Sequence, residues 1–121
     1  MKKLFLFAIV LILAVNLLAL DSVAIISASK GKVDLRRATK VIKHKTGDML
    51  QNNDEIRTGG ESFAACNYID GSSTIKIFSN SVVRIFASTK DKKLSKTVKL
   101  NKGSVFSQIK SDTGPFAVQT P

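Results

Sequence analysis

From Ser62 to Ile77 apolar and polar positions alternate. Ala64, Cys66 and Tyr68 fall on one side, Phe63, Ala65, Asn67 and Ile69 on the other, and beyond Asp70-Gly71 the rhythm resumes with Ile75 and Ile77 flanking Lys76. Successive side chains of an extended chain point to opposite faces, so period two predicts half-buried strands. Glycine supplies positive φ at no steric cost and aspartate bonds its own backbone, so Asp70-Gly71 predicts the turn of a hairpin. Similar punctuation stands upstream at Gly47-Asp48, Asn52-Asn53-Asp54 and Gly59-Gly60.

The rest of the chain after Leu20 reads the same way. Ser22 to Ala28 is apolar and β-branched, and Gly31 to Arg37 alternates with Val33 and Leu35 on one face. Ser29-Lys30-Gly31 between them reads as a hairpin turn. Val41-Ile42 is a short apolar piece. Val82 to Ala87, Thr97 to Leu100, Gly103 to Ile109 and Phe116 to Gln119 follow, with a polar segment from Ser88 to Ser95 and a break at Ser111 to Pro115. About nine or ten short strands, with turns roughly every ten residues, predict an all-β fold: one compact antiparallel sandwich or roll. The expected core is Val33, Leu35, Ile56, Ala64, Cys66, Tyr68, Ile75, Ile77, Val83, Ile85, Leu100, Val105 and Phe116. Each large side chain fully buried there contributes roughly 1.5 to 3 kcal/mol.

The amino terminus has a different pattern. Met1-Lys2-Lys3 is a basic tip, and Leu4 to Leu20 is an apolar run interrupted by Asn16. As a helix the run reaches roughly 26 Å, just short of the ~30 Å hydrocarbon core, so length does not separate a signal peptide from a membrane anchor. A buried core helix would need apolar neighbours all round, more than so short a chain supplies. Residues 1–20 therefore predict an N-terminal hydrophobic helix that directs export, touching the membrane through residues 4–20 if it is not cleaved, and residues 21–121 an exported β domain. The expected location is the periplasm or the cell surface. No cysteine ends the run, which argues against a lipoprotein anchor.

Gly47-Asp48, Asn53-Asp54, Ile56-Arg57-Thr58-Gly59, Ser62, Ala64, Asp70-Gly71-Ser72, Ser81, Leu100, Gly103, Val105 and the closing Phe116 to Pro121 together resemble the FecR domain. The resemblance runs from about Val23 to the last residue. It departs from the family pattern where Asn53 replaces a glycine, which asparagine's tolerance of the left-handed region allows. It departs again after Thr120-Pro121, where the family has a further strand, so the chain reads as a truncated domain or a fragment. The resemblance implies a non-enzymatic extracytoplasmic module that engages proteins in envelope signalling or serves as an accessory envelope domain. Only Met1 to Lys3 would face the cytoplasm, so direct control of a sigma factor is not carried over.

Chemistry-bearing residues are few. Cys66 is the only cysteine, which excludes an intramolecular disulfide, and its side of the alternation makes it an inert core thiol. An intermolecular disulfide would need it to face outward. His44 is the only histidine and lies in Lys43-His44-Lys45, so it reads as an exposed loop residue, and no Ser-His-Asp or Cys-His set can be assembled around it. Asp48, Asp54 and Asp70 all sit at turns, where side-chain to backbone bonding explains them, and no spaced series of calcium ligands is present. No metal or cofactor is expected. Arg57 is expected mainly to tie loop carbonyls together, with a partner carboxylate as the lesser reading.

Charge adds one more candidate. Lysine and arginine number 19 against nine carboxylates, a net +10, and +8 once Lys2 and Lys3 are set aside. Two patches hold much of it, Arg36 to Lys45 and Lys90 to Lys102, and their candidate contacts are Arg36, Arg37, Lys40, Lys43 and Lys45 in the first and Lys90, Lys92, Lys93 and Lys96, around a hairpin tip, in the second. Such runs solubilise a β protein and discourage edge pairing. They are also candidate contacts for an acidic protein partner or, in the alternative reading of an adhesive module, for acidic glycan or anionic lipid. Export and the lack of interleaved aromatics argue against nucleic acid.

Overall fold

The computed structural model describes residues 22–110 and 114–121. Eleven strands form two sheets: β1 (Ser22–Lys30), β2 (Val33–Arg37), β3 (Lys40–Ile42), β4 (Met49–Gln51), β5 (Glu55–Thr58), β6 (Phe63–Tyr68), β7 (Ser73–Ile77), β8 (Val82–Lys90), β9 (Lys93–Lys102), β10 (Val105–Ile109) and β11 (Phe116–Gln119). Sheet A has the order β10-β7-β6-β1-β4 and sheet B the order β11-β9-β8-β5-β2-β3. Among the described residues there is no helix long and apolar enough to cross a membrane, and indeed no helix at all. The expected N-terminal helix lies outside the described residues.

The all-β expectation holds, with eleven strands rather than nine or ten. The predicted hairpin is β6 and β7, antiparallel with Cys66 opposite Ile75 and Ala64 opposite Ile77. Pairing is not antiparallel throughout, because β11 runs parallel to β9 with Val118 beside Val98. The chain leaves sheet A at β10 and enters sheet B at β11, so that strand need not reverse on its neighbour. Nor do β1 and β2 form a hairpin. Both edges of β1 are occupied, by β6 and β4, and β2 belongs to sheet B. Gly31 is instead a corner between sheets: φ is 76°, and a Cβ would stand 2.6 Å from Ser62 Oγ, the atom that accepts a bond from the Lys32 amide at 2.8 Å. The polar segment Ser88 to Ser95 holds the expected hairpin tip. β8 and β9 stay paired through it to a two-residue turn at Asp91 and Lys92, both at positive φ, the twist that tight hairpins favour.

The inner faces of the two sheets enclose the core. Leu35, Ile56, Ala64, Cys66, Tyr68, Ile75, Ile77, Val83 and Ile85 are buried as expected, while Val33, Leu100, Val105 and Phe116 pack partly buried at its margin. Val23, Ala24, Ile26, Leu50 and Val98 complete it. Tyr68 spans the two layers: it projects from sheet A, its ring meets Phe116 edge-on at 6.3 Å, and its hydroxyl faces the carbonyls of Phe86 at 3.2 Å and Thr97 at 3.1 Å in sheet B. Tyr68→Phe removes the donor those carbonyls share and is expected to cost about 1 kcal/mol. On thermal unfolding that appears as a fall in Tm of about 4–8 °C. Cys66 is fully buried, and burial pushes its thiol up to about 12.

Candidate functional site

Asp54 sits at the Asn52–Asp54 reversal, where Asn53 has φ 71°. The aspartate is 1% exposed, and the Arg37 guanidinium meets it side-on, Nε to Oδ1 at 3.1 Å and Nη2 to Oδ2 at 3.0 Å. The Gln51 amide adds a bond to Oδ2 at 2.7 Å. Backbone bonds between Asn53 and Ile85 and between Ile85 and Asp54, and one from the Ala87 amide to Asn52 Oδ1, fasten the loop to β8. Asp54 is thus a knot joining β2, β5 and β8.

A second knot lies at the other end of β5. Thr58 Oγ1 donates to the Phe78 carbonyl at 2.5 Å and accepts from the Ser81 amide at 3.0 Å. Ser62 exchanges bonds with Ser79 and donates to the Gly60 carbonyl, while Gly59 pairs through its backbone with Lys32 and Asn80. Ser81 Oγ accepts from the Ser104 amide at 3.0 Å, just past Gly103, whose φ is 91°. The motif residues of this region are spent on the carbonyls and amides of turns that carry the chain between the sheets.

Asp70 forms a third. Its Oδ1 takes the Ser72 hydroxyl at 2.5 Å and the Ser72 amide at 3.0 Å, and Oδ2 takes Lys96 Nζ at 3.0 Å. Partial burial pushes the Asp70 carboxyl up, but the Ser72 bonds and the Lys96 ammonium outweigh it and hold the group below its usual 3.8. A depressed folded value makes the charged form the stabilising one. Its contribution is full above about pH 3.8 and disappears as pH falls through the lower folded value. The stability gap between wild type and Asp70→Asn is therefore expected to stay level from about pH 7 to pH 5 and to close below about pH 3.8, as read by urea unfolding across pH.

Gly47-Asp48 is simpler. Gly47, at φ 97°, bonds to Ile26, and the Asp48 carboxylate accepts from the Lys45 amide at 2.9 Å, which closes the turn onto β1. Gly71, at φ 71°, closes the β6–β7 turn through the Tyr68 carbonyl.

The basic candidates separate. Lys40, Lys43, Lys45, Lys92 and Lys93 are exposed, whereas Arg37 is engaged with Asp54. Lys96 is not a surface contact: it is 1% exposed, and besides Asp70 its ammonium bonds the Leu94 carbonyl at 3.1 Å. In β9 it takes an inward position, alternating with Thr97 as Val98 does, which the lysine run around it conceals. Strand register puts the β2–β3 turn and the β8–β9 tip at one end of sheet B, and Lys43 and Lys45 beyond the opposite end of β3. His44 is half-buried rather than fully exposed, lining a small space with Ile26, Leu35, Ile56 and Ala64.

Arg57 does not tie loop carbonyls. Its Nε and Nη2 meet the Glu55 carboxylate at 3.1 and 3.4 Å on the outer face of sheet B, and Arg84 Nη2 lies 3.9 Å from the same group. Sequence reasoning misses Arg84 and Glu55, and places Lys99 in a basic stretch without its neighbours, because only pairing across strands brings the three together. Among the described residues no three histidine, cysteine or carboxylate side chains gather in metal-binding geometry.

A family model described as FecR protein matches residues 54–121, over half of the chain. That span includes the knots at Asp54, Thr58, Ser62, Asp70, Ser81 and Gly103. No curated protein and no solved structure matches this chain.

Proposed function

This chain belongs to the FecR family, and on that premise we propose that it is a non-enzymatic, exported binding module that engages another protein of the cell envelope in signalling. The observation that supports the reading most directly is the use made of the motif. Asp54, Thr58, Ser62, Asp70, Ser72 and Ser81 give their polar atoms to backbone groups and neighbouring side chains inside the fold. Groups engaged in this way hold the two sheets together and leave recognition to the strand faces, edges and turns. The outer surface has material for it. Ile25, Met49, Phe78 and Phe106 are exposed on strands of sheet A or next to them, and the five strands of that sheet contain no carboxylate. Sheet B carries the arginines.

The test is capture from envelope extract by the immobilised chain at low and at high salt, beside a fusion of its first residues to an enzyme active only outside the cytoplasm. A retained protein partner and an active fusion are expected. Retention of polyanion alone, lost steeply with salt, would replace this reading with that of an adhesive module. An inactive fusion would remove export from it.

A further inference from the structure

We propose that the outer face of sheet B docks an acidic, extended segment of the partner protein, with Arg57, Arg84 and Lys99 making the contacts. This rests on the binding-module reading and names the chemistry of its partner. Register brings Arg36, Glu55, Arg84 and Lys99 side by side across β2, β5, β8 and β9, with Arg57 beside Asp34 in the next row. Leu35, Ile56, Val83 and Val98 point inward, so these charged neighbours alternate outward. Neighbouring strands lie ~4.8 Å apart, which gathers four cations and two carboxylates into one compact surface.

The cations exceed their internal acceptors. Glu55 is 5% exposed and already receives Arg57 and Arg84, and Arg84 Nη1 donates to Asn53 Oδ1 at 3.1 Å. A guanidinium offers five donors, so most of the Arg57 and Arg84 donors remain for a ligand. Their side chains are 44% and 34% exposed, and Lys99 is exposed. Arg36 adds a third guanidinium, whose covered Nε has no acceptor.

The occupant follows from the pattern. Arg57 grips Glu55 through two nitrogens, the fork geometry that a second carboxylate would meet in the same way. An extended peptide presents every second side chain at ~6.6 Å intervals, on the scale of these rows. Asp34 interrupts the positive field and would repel a uniform polyanion. A lipid surface or acidic glycan would find Lys92 and Lys93 exposed on the tip, beside Asp91.

Titration of the full chain with a synthetic peptide of alternating glutamate and threonine tests this, with vesicles of anionic phospholipid as the second probe. Expected are saturable peptide binding that weakens with salt, shifts of the Arg57 and Arg84 Nε–H resonances, and about tenfold weaker binding in Lys99→Glu and in Arg84→Glu. Lys92→Glu should leave peptide binding unchanged. Lys99→Glu alters an exposed lysine and serves if Arg84→Glu does not fold. The proposal is overturned by absence of peptide binding, by equal loss in Lys92→Glu, or by a Lys99→Glu defect confined to vesicles. Envelope capture that persists undiminished in Lys99→Glu and Arg84→Glu would overturn this site while leaving the binding module intact.

Discussion

Gly103→Ala is expected to destabilise the domain by roughly 3–5 kcal/mol, the largest loss expected from a methyl group added at any of the glycines. Two costs combine. At φ 91° the backbone occupies a region that side chains rarely adopt, and an added Cβ would overlap Ser81 Oγ while standing 2.6 Å from Ser81 Cα and 2.7 Å from the Asn80 carbonyl. Backbone atoms cannot swing aside as a flexible side chain can. Ser81 itself ties the second knot, so yielding there would loosen Ser104 and Thr58 as well. Gly47 supplies the control, because at φ 97° a methyl added there would meet nothing within 4 Å. Gly47→Ala should therefore show only the conformational part, about 1–2 kcal/mol. Urea midpoints for the two variants separate the contributions, and similar losses would refute the collision.

Asp54→Ala is the second large effect, at roughly 3–4 kcal/mol. Removing the carboxylate strips both acceptors from Arg37 and one from the Gln51 amide at a position closed to water. Asp54→Asn keeps the shape and one acceptor, and should cost about 1–2 kcal/mol less than alanine. Native-state amide exchange locates the damage: protection should fall first at Gln51, Asn53 and Ile85, the amides fastened at this loop. Loss spread evenly over both sheets would contradict a knot of local action.

Much of this is legible in the residue pattern. Alternation identifies the β6–β7 hairpin and the face of Ile75 and Ile77, because one buried face imposes period two on a strand. It does not reveal Leu50, whose strand is three residues long, nor Ala24 and Ile26, which sit in β1 beside register irregularities that break the alternation. Turn chemistry finds Gly47, Asn53 and Gly71 but not Ala38, which takes positive φ although nothing in its side chain favours it. Pairing partners are the harder part. Nothing local says that β1 and β2 part company at Gly31, or that β11 joins β9 in parallel, since both depend on which edges other strands leave open. The same gap hides the arginine face: Arg57 and Arg84 are 27 positions apart in sequence and become neighbours only through Glu55. Lys96 misleads for another reason, that a lysine inside a lysine-rich run looks solvated until its inward alternation and its aspartate are seen.

The seclusion of Cys66 makes the molecule its own reporter. With its sulfur sealed at the centre of sheet A and reluctant to ionise, two intact copies have no means of cross-linking through it. A maleimide or disulfide reagent can reach it only when the two sheets part or β6 leaves its neighbours. The pace of that reaction therefore times the opening of the domain, with no label introduced.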